Sequence, residues 1–391
     1  MASAPAPSRV ASWSRALESW IGNAYPTSAD ALGVGRVLFA GSLLFAIGLP
    51  DRLWLDALPA FVFDPRPGPG SLFGAFPPAW FFQGLRWLSC TLGLAVLLGY
   101  RTRAASIGLG LALVLTYSFE GRLASGGPVF LMTFPLVMSC SNWGAALSID
   151  ALRNPGAERR VSVWPIAYLS LLLGFLMWTA GVSKLATGWL EPSLATRGHL
   201  LRTHLDYGRD ALLAPWMLAH APVWLWQLAD LATVLLEVGF LLAVPWPRVF
   251  RLFCAGALFF HTGILLVMNI DYSVHAPLYA VFFLGSLDSK PALQAGVARW
   301  QARLAVLYRP HWRLPGAGWG PLACAGGLWC LLVRPGGSPT SLLLEALGLP
   351  PTPHRGLLLL VPGCALALLY LGGRLRSKRA PQATHGVNMP A

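Results

Sequence analysis

The sequence predicts an all-α fold: a polytopic bundle of about eight to ten membrane segments, each near the ~20-residue spanning length, with both termini cytoplasmic. Hydrophobic residues make up 55% of the 391 and charged residues 12%, with a mean hydropathy of +0.57, whereas a soluble domain carries roughly 25% charge. Long apolar stretches recur along most of the chain and lack the alternating polarity of barrel strands. In lipid each backbone donor and acceptor must be satisfied within its own segment, so the runs read as helices. They fall at 31–50, 81–99, 104–119, 127–147, 161–183, 222–246, 249–270, 274–287, 321–333 and 356–373. The eighth and ninth are short enough to be re-entrant or interfacial.

Residues 1–30 read as a cytoplasmic tail with an interfacial helix through Trp13, Leu17 and Trp20. No secretory signal peptide is evident there. The first span carries Arg36 near its start, which we read as snorkelling to lipid phosphate. Residues 51–80, rich in proline, glycine and aromatics, are expected to build no core of their own. They should lie on the bundle as a cap, with Trp54, Phe61, Phe63 and Trp80 at the headgroup level. YRTRA is long enough only for a tight hairpin between the second and third spans, and the fourth closes at SNWGAALSID.

The fifth span, 161–183, runs into the stretch Tyr168 to Glu191, YLSLLLGFLMWTAGVSKLATGWLE, where one amine, Lys184, appears as the apolar run gives out. An ammonium is costly in hydrocarbon, so it snorkels to water or faces a polar cavity. The polar stretch 184–221 follows. Its His199 and His204, five apart, do not share a helix face, so a solvated loop is expected and no metal site. The sixth span holds Asp230 and Glu237, two turns apart on one face with Gln227 and Thr233 close by, which makes them candidates for contact with a substrate. The seventh carries His261 at mid-depth, and Asn269, Asp271 and His275 follow at its outer end.

Residues 291–316, with Leu293, Val297, Trp300 and Leu304 at helical spacing, read as a basic amphipathic helix on the inner leaflet. Two hydrophobic segments occupy 317–373, and 374–391 reads as a basic disordered tail. The net charge of +13 concentrates in alternate loops. It therefore reads as orientation and contact with an anionic inner leaflet, not as a nucleic-acid footprint. The six cysteines lie in or beside apolar runs without C-x-x-C spacing and are expected to be small buried hydrophobes, with neither disulfide nor metal.

Four stretches occur in order over residues 31–290: ALGVGRVLFAG, NWGAALSIDAL, AGVSKL with Trp189 beyond it, and FFHTGILLVMNI. Together they resemble the horizontally transferred transmembrane domain family, which includes the vitamin K-dependent gamma-carboxylases. The resemblance implies a site on the outer side in which Lys184 is the base that deprotonates reduced vitamin K or another quinol and His261 is its partner. It also implies carboxylase- or oxygenase-like (lyase) chemistry on a peptide or small molecule. Trp189, Asp230, Glu237, Asn269 and Asp271 would then contact substrate. Ser183 stands where the family's motif has its first lysine, and only two hydrophobic segments follow residue 320, so the carboxylases' peptide recognition does not carry over. A bacterial plasma-membrane protein is expected. A non-catalytic accessory for peptide maturation and, less favoured, a transporter are the other readings.

Overall fold

The computed structural model describes residues 9–379 except 66, 120–128, 157–158, 192–193, 207, 209–210, 288–290, 308–318, 334–336 and 350, and every regular element among them is helical. In order these are α1 (Arg9–Asn23), α2 (Ala29–Gly41), α3 (Ala79–Leu98), α4 (Thr102–Ser118), α5 (Val129–Met138), α6 (Ile149–Arg153), α7 (Trp164–Ala186) and α8 (Ala195–Leu205). Then follow α9 (Ala214–His220), α10 (Val223–Ala243), α11 (Pro247–Met268), α12 (Ala276–Leu287), α13 (Pro291–Leu307), α14 (Trp319–Leu332), α15 (Pro339–Ala346) and α16 (Pro351–Arg379).

Among the described residues, six helical stretches are long and apolar enough to cross a membrane: Ala29–Ile47, Ala79–Leu98, Trp164–Ala186, Val223–Ala243, Pro247–Met268 and His354–Gly373. The chain is a helical membrane protein. The count is below the expected eight to ten because the apolar helices Val129–Met138, Ser273–Ser286 and Trp319–Leu332 are short. The fourth run shows the cause. Ser139 and Ser141 turn their hydroxyls onto the Leu136 and Met138 carbonyls, and Asn142 takes φ 60°. Local side-chain bonds thus displace the helical ladder and the chain leaves the helix at Met138, not at 147.

Interrupted helices leave C-terminal carbonyls inside the bundle, and arginines close them, as the negative end of a helix favours. Arg36 is fully buried. It donates to the Val96 and Leu97 carbonyls at the end of α3 and to those of Trp143, Ala146 and Leu147 in the connection between α5 and α6. It does not snorkel: its guanidinium is buried inside the bundle and its N–H groups are taken by these carbonyls. Arg86 donates to Cys330 and Val333 at the end of α14 and Arg355 to Ile47 at the end of the first span, while Arg251 reaches the Phe282 carbonyl within α12 at 2.8 Å. The converse end is served by Asp150, which accepts from the Arg101 and Thr102 amides at 2.9 and 2.7 Å and so caps α4.

The main core gathers α2–α5, α7, α10–α12, α14 and α16. Residues 51–80 lie against the bundle, where Leu55 packs with Phe82 of α3 and Phe119 after α4 in a small satellite cluster shared with those helices. Trp54, Phe61 and Trp80 are exposed there, while Phe63 packs into the cluster. On α1, Trp13 and Leu17 are exposed, and Trp20 docks by donating to the Pro245 carbonyl at 3.2 Å. Cys90, Cys254 and Cys330 are buried, but Cys140 and Cys324 are exposed. On α13, Val297 faces the bundle and Trp300 is exposed. The helix α16 continues past 373 to Arg379. Residues 1–8, 308–316 and 380–391, on which parts of the tail and interfacial-helix expectations fall, lie outside the described residues.

Candidate functional site

The site begins with two glycines. Gly174 and Gly181 stand seven residues apart on α7, and there the α10 backbone comes in close. A Cβ on Gly174 would lie 3.1 Å from Leu241 Cα, and one on Gly181 would lie 2.9 Å from Val238 N and 3.0 Å from Glu237 Cβ. Small residues allow such an approach between membrane helices. It places Glu237 against the last turns of α7, where Lys184, whose side chain leans back toward the helix N-terminus, reaches it. Lys184 Nζ lies 2.8 Å from Oε1 and 2.7 Å from Oε2 of Glu237. The two side chains are 22% and 9% exposed. Glu237 sits fourteen residues after Val223, the first residue of α10, or ~21 Å along the axis at ~1.5 Å per residue. The amine expected at the bundle's outer edge is therefore paired far inside the neighbouring helix.

The end of α7 folds over this pair. Trp189 N donates to Lys184 O at 3.0 Å and Gly188 N to Leu185 O at 3.3 Å, with Gly188 at φ 73°. This is a Schellman closure, which a side chain at Gly188 would strain. It lays the Trp189 ring over the ammonium, 5.3 Å from Nζ to centroid, and buries the indole N–H without a partner. The His199 ring lies on Trp189 at 5.1 Å. Burial, then the charges of Arg202 and Lys184, hold this imidazole below its ordinary basicity.

His199 belongs to α8, so the expected solvated loop at 184–221 is instead a pair of short helices docked on α10 and α11. Leu200, Ala211, Ala214, Trp226 and Met268 form their apolar contact, and Leu213 N donates to Leu266 O at 2.9 Å. Asp230 has a clear task in this arrangement. Leu194, at φ 54°, offers α8 no cap, and Asp230 Oδ1 accepts from Thr196 N at 2.7 Å instead. Gln227, expected beside Asp230, faces outward.

His261 lies elsewhere. Its Nε2 pairs with the Tyr279 hydroxyl at 3.0 Å. Its ring stacks with His275 at 5.6 Å and meets Tyr272 at 5.1 Å, and its Nδ1 is buried without a partner. No described contact joins it to Lys184. Asp271 pairs with Arg355 at 3.0 Å and caps Ser273 N at 2.9 Å, and Asn269 ends α11 in the left-handed conformation at φ 51°. The sequence-chosen residues thus divide. Lys184, Trp189 and Glu237 form one centre with Asp230 anchoring its cover, while His261, Asn269 and Asp271 belong to a second region near the start of α12. Tyr279 and Arg355 were not singled out, because their partners lie in other helices. For His199 the sequence predicts only a place in a solvated loop; its position against Trp189 follows from the closure at Gly188. No group of three or more His, Cys, Asp or Glu suited to a metal occurs among the described residues.

No family model, no curated protein and no solved structure matches this chain.

Proposed function

We propose that this protein is a membrane enzyme of the carboxylase-like transmembrane domain type whose Lys184–Glu237 pair removes a proton from a lipid-phase acid of the quinol class. The reading puts the chain in a bacterial plasma membrane, and the distribution of its basic loops supports cytoplasmic termini. The observation that carries the function is the bidentate contact between Lys184 and Glu237, because ionisable groups inside a membrane are costly to place and are candidates for function by default. The surroundings fit a hydroxylated ring: an aromatic wall of Trp189 and His199 beside a buried indole N–H with no partner. His261, held by Tyr279, has no part in the proton step proposed here.

The test is mass spectrometry of quinones and lipids retained by the protein purified from native membranes, beside Lys184→Ala and Glu237→Gln. A hydroxyl-bearing ligand retained by the wild type and lost in both variants is the expected result. Equal retention in all three overturns the reading. A co-purifying peptide or protein that survives loss of both residues would replace it with the accessory reading.

A further inference from the structure

We infer that Glu237, not Lys184, is the proton acceptor of the pair, and that Lys184 holds the resulting oxyanion of a hydroxyl-bearing weak acid; this rests on the function proposed above. Donor and acceptor counting leads there. An ammonium has three N–H groups, and Glu237 takes two of them at 2.8 and 2.7 Å. Each carboxylate oxygen has two lone pairs, one of them engaged by Nζ. What remains is a donor on Lys184 and acceptors on Glu237, side by side within one contact. A hydroxyl group is the complement of that arrangement, since it donates and accepts through one oxygen.

Charge balance selects the direction. With Lys184 as ammonium and Glu237 as carboxylate, the pair is neutral. A neutral Lys184 waiting as base beside a carboxylate 9% exposed would leave a buried anion without a counter-ion, which is strongly disfavoured. In the proton step the ligand O–H bond breaks, a new O–H bond forms on a Glu237 oxygen, and the electron pair stays on the ligand oxygen. That oxygen is then an anion against the Lys184 ammonium, so the site and ligand together remain neutral. No electrons move between molecules. A fixed cation facing the oxygen on which charge develops is the general means of stabilising such an anion in a dry site. The unpartnered indole N–H of Trp189, whose ring covers Nζ, is a further donor next to the pair.

A long-chain alkyl 4-nitrophenol in lipid nanodiscs tests this with the full chain. Phenolate absorbance reports ionisation, and difference infrared spectroscopy with isotope-labelled glutamate reports where the proton goes. Wild-type protein is expected to show phenolate absorbance together with a new protonated-carboxyl band. Glu237→Gln, left without the proton acceptor, should lose both the band and the phenolate absorbance, and Lys184→Met should lose the phenolate absorbance. The probe's methyl ether, which needs no variant, should bind on the order of tenfold more weakly, as the loss of one hydrogen bond to a charged group implies, and give no band. Phenolate absorbance without the carboxyl band would assign the proton to Lys184 or to solvent and overturn the inference, leaving the proposed function in place. Neither signal in the wild type would remove the hydroxyl site, and the function proposed for it, altogether.

Discussion

Lys184 Nζ and the two carboxylate oxygens of Glu237 stand 2.8 and 2.7 Å apart, and the contact exists because Gly181 lets α10 approach α7. Removing either partner leaves the other charge buried. Lys184→Met and Glu237→Gln are each expected to cost about 3–5 kcal/mol, and the double variant less than their sum. Thermal unfolding in one detergent checks this, and additive losses would mean that the pair is not coupled.

Gly188→Ala should disturb the closure over the pair. A side chain at φ 73° costs about 1–2 kcal/mol, and its Cβ would lie 2.8 Å from the Glu191 carboxyl carbon. Hydrogen exchange at the Trp189 amide, which donates to Lys184 O, is expected to accelerate while exchange in the middle of α7 stays unchanged.

Asp230 is predicted to act through α8. Asp230→Ala removes the acceptor for Thr196 N, a cap whose loss costs about 1 kcal/mol. Faster exchange confined to residues 195–205 is the expected result. Asp230→Asn, which can still accept, should lie close to the wild type.

His199 gives a pH dependence. Its pKa is held below the ordinary 6.5 by burial first, then by Arg202 and Lys184, so the unfolded chain takes up this proton more readily than the folded one. The contribution is complete above that ordinary value and is lost as the pH falls through it toward the folded value. A scan of melting temperature from about pH 8 to about pH 5 should be flatter in His199→Gln than in the wild type, and identical profiles would show that the imidazole makes no contribution.

Composition was enough to show a helical membrane bundle, since solvent and length leave few alternatives for runs such as 222–246. The ionisable residues worth attention were equally legible, because Lys184, Glu237 and His261 interrupt apolar text. Their partners were not. Whether Lys184 meets Glu237 depends on the register between α7 and α10, which Gly174 and Gly181 set only once both helices are in place, and His261 on α11 turns instead to Tyr279 of α12. Arg36 shows the same limit. A cation near the start of a span looks like a snorkel, and only the fold reveals that α3 ends beside it. The short helices α8 and α9 were hidden for another reason: Leu200 stands among polar residues such as His199, Arg202 and Thr203, and its apolar partners Trp226 and Met268 belong to other helices.

The arginines that close helix ends also change how the protein's charge of +13 should be regarded. Arg36 and Arg86 are buried and spend their hydrogen bonds on carbonyls, so they act as rivets inside the bundle and exert little pull on an anionic surface. Raising the ionic strength should therefore weaken the grip of the exposed basic loops on acidic lipid while leaving these internal fastenings intact, because mobile ions cannot reach them.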